Sequence, residues 1–145
     1  MANFKFIESK EDLKAFAGFR MAEIDGEKAR TMKEFFGQIA RALDFPEEFD
    51  HSLESLDDLL NDLSWLEEDR ILLFISHSDA FLSQEKNRDK ITEVFNLLDI
   101  TAEDWKWVDD EVEAESPREF VILIEPSQQL TTLFDQEGIA YEPIA

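Results

Sequence analysis

The sequence contains no cysteine. That excludes disulfides, thiol nucleophiles and thiolate metal sites. Glycine and proline are scarce, at four each in 145 residues, while apolar residues make up 43%. Such a chain is predicted to fold throughout, with disorder confined to its tails, and to form one domain with a real core. No apolar run approaches membrane-spanning length. The first residues, from Met1 to Lys14, lack a basic segment followed by an apolar one, so no secretory signal is expected. The expected location is a reducing cytoplasm. The largest shortage is of positive charge: 14 Lys and Arg stand against 35 Asp and Glu, a formal net charge of −21. Nucleic acid and anionic membranes are poor partners for such a surface, and a basic protein is favoured.

Catalytic signatures are missing too. The two histidines, His51 and His77, sit in no HExxH pattern, and there is no DxDxDG loop, P-loop or GxSxG. No catalytic residue, cofactor or metal is therefore expected, and the chain is read as a non-enzyme.

What is present is concentrated in one stretch. Between Arg41 and Arg70 there is no Lys or Arg, yet the interval carries eleven acidic residues. Its leucines nevertheless recur at helical spacing: Leu53, Leu56, Leu60, Leu63. A segment this acidic keeps a regular apolar stripe only if one face is buried and the other displays charge. Glu54 and Asp58 are four apart and share a face, with Asp57 beside them and Ser55 and Asn61 nearby. Such carboxylates suit three roles: docking a basic protein, simple solvation of a helix face, or holding a divalent metal for hydrolysis.

The rest reads as a scaffold. Short strands are predicted at Phe4–Ile7 and Phe19–Ile24, with a turn at Asp25-Gly26. Ser9 is placed to cap a short helix over Lys10–Phe16. Thr31 and Glu34 form a capping-box pattern opening a helix that ends by Pro46. Ser52 caps the leucine-striped helix. Ile71–Ile75 and Phe120–Ile124 are continuous apolar runs, as in strands buried on both faces. A helix is predicted from about Gln84 to Leu98, and Thr101 is read as capping a further turn carrying Trp105 and Trp107. An acidic linker follows over Asp109–Ser116. Pro126-Ser127 opens a last helix stopped by Gly138, and a terminal strand is placed at Ile139–Tyr141. The three tryptophans, Trp65 included, are assigned to packing. This order predicts an α/β fold around a small parallel sheet.

The run Ile24-Asp25-Gly26, the helix opened by Thr31, ARALDFP ending at Pro46, then Phe49, Leu53, Leu56, Asp57-Asp58, Leu60, Asp62 and DLSWL ending at Leu66 follow one another in the order and spacing of a known group. The segment resembles the barstar family of ribonuclease inhibitors, over roughly Phe19 to Glu125, with 1–18 and 126–145 left as terminal additions. The resemblance implies a barstar-like three-stranded parallel sheet packed with helices. It also implies an inhibitor or immunity protein, expected to be monomeric, that blocks a basic ribonuclease or nuclease toxin. The acidic residues of the second helix and the loop before it would make the contact. By position, Asp58 matches the central acidic residue inserted into the enzyme's active site, and Glu54 matches a second acidic contact, one methylene longer. Asp50 and Ser52 stand where the type inhibitor has Gly and Asn. Glu48 replaces an aromatic contact, and Asp57 replaces a tryptophan. The expected partner-binding set is Asp58, Glu54, Asp57, Asp50, Ser52, Glu48, Phe49, His51 and Asn61. An acidic mimic of nucleic acid, bound to a basic partner that is not a nuclease, is the alternative.

Overall fold

The computed structural model describes residues 2–63, 65–111 and 119–144, with residues 107–111 as backbone only. The side chain of Trp107 and the 112–116 part of the expected linker lie outside the described residues.

Five strands form one parallel sheet: β1 (Phe4–Phe6), β2 (Arg20–Asp25), β3 (Arg70–Ser76), β4 (Glu119–Ile124) and β5 (Tyr141–Pro143), in the order β2-β3-β4-β1-β5. The strands β2, β3 and β4 are parallel neighbours, as the apolar runs predict, with Arg20 opposite Ile71 and Ile71 opposite Phe120. The expected count of three is corrected to five. β1 pairs with β4 through Phe4 opposite Ile122, and β5 pairs with β1 through Phe4 opposite Tyr141. The two flanks thus complete the sheet. A strand is expected from the sequence at each flank, but so short a pattern does not say which sheet it joins, and the last strand lies at Tyr141–Pro143 rather than Ile139–Tyr141.

Direction of travel decides which face each connection covers. From β2 to β3 to β4 to β5 the chain steps one way across the sheet, whereas β1 to β2 steps back. Right-handed crossovers put these connections on opposite faces. Helices α1 (Met32–Ala42), α2 (Leu53–Asp62), α3 (Arg88–Glu111) and α4 (Gln128–Glu137) pack over Ile24, Ile71, Leu73, Ile75, Phe120 and Ile122. The other face, with Leu72, Phe74 and Leu123, is covered by Leu13, Phe16 and Phe19 from the 3₁₀ helix Lys10–Phe16 and its exit.

Two helices depart from expectation. α3 starts at Arg88, because Gln84 donates its N–H to Arg30 O and Asn87 Oδ1 accepts from Asp89 N, holding that turn out of the helix. It then runs on to Glu111. Thr101 is interior to it: its hydroxyl donates to Leu97 O at 2.9 Å and caps nothing. In α2, Leu56, Leu60 and Leu63 are buried, whereas Leu53, on the first turn at the rim, is only half-buried. Leu60 is fully enclosed. We expect Leu60→Ala to lower unfolding stability by about 2–5 kcal/mol, read as a shifted denaturant midpoint at unchanged slope. An unshifted midpoint would refute the assignment of this face to the core.

Candidate functional site

The acidic helix is fixed at both ends and along its back. At its start, Ser52 Oγ accepts from Ser55 N at 3.1 Å, and Asp50 Oδ1 accepts from Ser52 N at 3.1 Å. His51 takes a left-handed conformation (φ 59°) between them, a cost of about 1–2 kcal/mol. Its ring stacks on Phe49 at a centroid distance of 4.9 Å. At the far end Leu63 is also left-handed (φ 49°), and its N–H reaches Leu59 O. Along the back, the buried indole of Trp105 donates to Leu60 O at 2.9 Å. Trp65 donates to Leu43 O, also at 2.9 Å, binding the end of the segment to the end of α1. Arg20 bridges the stretch: one terminal nitrogen meets Asp44 at 2.8 Å and the other meets Glu68 at 3.5 Å.

The front of the helix is left charged. Glu48, Asp50, His51, Glu54, Asp58 and Asn61 are exposed, and Ser52 and Asp57 are half-buried. Asn61 donates to Asp57 O at 2.9 Å and to Asp57 Oδ1 at 3.1 Å, which orients the Asp57 carboxylate. Among the described residues no salt bridge reaches Glu54 or Asp58. Glu54 lies in the first turn, where the helix dipole favours an anion. Asp58 and Asp62 lie in the second half, where it does not. Phe49 is different from the rest of the predicted set. At 8% exposure it belongs to the core, edge-on to Phe36 and Phe45, and it shapes the loop from beneath.

A second polar group was not visible from the sequence. At the carboxyl ends of β2 and β3, the ring nitrogen His77 Nδ1 lies 2.9 Å from Asp25 Oδ1. Burial works to raise the Asp25 pKa, but the bonds from His77 and from the Glu27 amide, with the charges of His77 and Lys28, bring it below its ordinary value. The His77 pKa is raised, first by its bond to Asp25, against slight desolvation, with help from the charges of Glu27, Asp25 and Glu125. Gly26 makes the approach possible: a Cβ there would fall 2.0 Å from His77 O. The glycine of the Ile24-Asp25-Gly26 run was the only sign of this contact in the sequence, and there it read as a turn.

Comparison with known proteins gives fold and family separately. The fold is similar to the Aeropyrum pernix ORC2 protein, solved as ADPNP–ADP complexes, with TM-score 0.54 and 12% identity. It is also similar to Cdc6p from Pyrobaculum aerophilum, with TM-score 0.51 and 17% identity. Each match covers 99% of this chain but only 42% and 39% of those proteins, so the chain spans about two fifths of their length. At these identities the likeness is one of fold alone. The segment after β1 here is Ile7-Glu8-Ser9-Lys10-Glu11-Asp12, with no glycine and no P-loop pattern. No curated protein matches the sequence. The profile described as Barstar (barnase inhibitor) matches residues 19–125, which hold β2 to β4 and the whole acidic helix. The chain therefore belongs to the barstar family.

Proposed function

We propose that this protein inhibits a basic nuclease by seating the front of α2 and the loop before it in the enzyme's active site. The observation that carries this reading is the pair Glu54 and Asp58. Both are exposed, no cation of the described chain answers them, and the helix that holds them is anchored from behind by Trp105 and Leu60. A nuclease site must attract phosphate and so concentrates Arg, Lys and His. Carboxylates on a rigid helix meet such groups through charge-assisted, often bidentate hydrogen bonds. Rigidity matters because little ordering entropy remains to be lost on docking. Family membership supports an inhibitor that does no chemistry itself.

Within the proposed surface the residues divide by what the fold already asks of them. Asp58 and Glu54 face the partner. Asp57 is steered by Asn61, Asp50 and Ser52 build the turn that aims the helix, and Glu48 and His51 form the rim. Phe49 acts from below. The test is recovery of the bound protein from the native cell with the tagged full chain, followed by a nuclease assay on the recovered protein. A basic nuclease silenced stoichiometrically by added inhibitor is the expected result. Recovery of a basic nucleic-acid-binding protein without nuclease activity would replace this reading with that of an acidic mimic.

A further inference from the structure

The residues Asp25, Glu27 and His77 converge from two strand ends. One ligating atom from each lies within 4.8 Å of the others. They belong to none of the surface assigned above, and their closeness depends on the fold, since His77 is 52 positions from Asp25. The donors are mixed, an imidazole nitrogen with two carboxylates. Glu125 adds a third negative charge acting on the same ring. We propose that Asp25, Glu27 and His77 bind a divalent first-row transition-metal ion such as zinc.

The donor set selects the class of ion. Imidazole with carboxylate suits zinc, cobalt and manganese, whereas calcium and magnesium prefer oxygen alone. At metal–ligand distances of about 2.0–2.2 Å an ion needs an adjustment of the three donors, the His77 Nδ1–Asp25 Oδ1 contact of 2.9 Å opening slightly and the third carboxylate turning toward it. Glu27 can supply that movement, because it is exposed and sits on a three-residue turn. Asp25 and His77 are already placed by the strands: Asp25 pairs with Ser76 in the β2–β3 register, and Gly26 packs on the His77 backbone. Three protein ligands leave coordination positions open to water or to a group from outside.

The competing explanation for any cation uptake is diffuse attraction to a chain of charge −21. The experiment separates the two. Zinc ion is titrated into the full chain at moderate salt, by calorimetry and by NMR of the imidazole resonances. With only two histidines, both rings are assignable. We expect saturation at one equivalent, a shift of the His77 ring with His51 unmoved, and at least about tenfold weaker binding in both Glu27→Gln and His77→Gln. Glu27→Gln keeps the His77–Asp25 bond, so it reports on ligation without disturbing the strand ends. Uptake that does not saturate, a shift at His51 instead, or undiminished affinity in Glu27→Gln and His77→Gln would each overturn the site. Inhibition of a nuclease enters none of these readouts.

Discussion

Replacing Asp58 by Ala is expected to speed dissociation from the target nuclease by about thirtyfold or more, the equivalent of at least about 2 kcal/mol at a hot spot. Asp58 sits in the second half of α2, where the helix dipole offers it nothing, and no cation of the described chain pays for its charge. Once docked, it would be desolvated among basic groups of the enzyme. Truncating it leaves those groups buried without a partner, and that penalty appears in the off-rate. Glu54 lies one turn away on the same face, so Glu54→Ala should act in the same direction and less strongly. The two effects should not add, because the residues share one electrostatic environment. The exposed rim residue Glu48 should behave differently. Glu48→Gln should slow association and flatten its salt dependence while dissociation barely changes. Stopped-flow rate constants at low and moderate salt decide the matter. Unaltered dissociation of Asp58→Ala, from a nuclease the wild type still inhibits, would move the contact off this face.

The sequence showed the acidic helix because two periodicities coincide there. Leucines repeat at helical spacing while lysine and arginine vanish, and the solved geometry separates the same residues into buried Leu56, Leu60 and Leu63 and exposed Glu54 and Asp58. The central strands were equally plain, since Ile71–Ile75 and Phe120–Ile124 are apolar on both faces and are buried as predicted, with only Val121 half-exposed. Edges were harder to read. β1 and β5 hold three residues each, and their place in the sheet rests on pairing with chain far away. The start of α3 was missed for a similar reason, because the Gln84 amide is taken by Arg30, from before α1. Phe49 enters the expected partner surface through the family resemblance, and its surroundings in the fold are Phe36 and Phe45. Local pattern fixes which face of an element is apolar. It does not tell which distant residue will cover that face.

Phe134→Ala is expected to give the largest loss of stability, about 3–5 kcal/mol. Phe134 is fully buried on α4, outside the residues matched by the family. Its ring lies 4.9 Å from Phe95 of α3, 5.2 Å from Phe4 of β1 and 6.0 Å from Phe6. Tyr141 of β5 completes the group at 5.8 Å. One side chain therefore joins both flanks of the chain to the centre of the core. Truncation removes buried apolar area, leaves a cavity between rigid rings that cannot collapse into it, and deletes one edge-to-face, one stacked and two tilted ring contacts at once. If the flanks are integral to the fold, the loss should lower a single unfolding transition, with far-UV circular dichroism and tryptophan fluorescence moving together. Two of the three tryptophans report on the family core, since Trp65 donates to Leu43 O and Trp105 to Leu60 O. A variant in which the fluorescence midpoint stayed at its wild-type value, while part of the dichroism was lost early, would show something else. β1, α4 and β5 would then be an appendage to the family core, and the five-stranded sheet would not unfold as one unit.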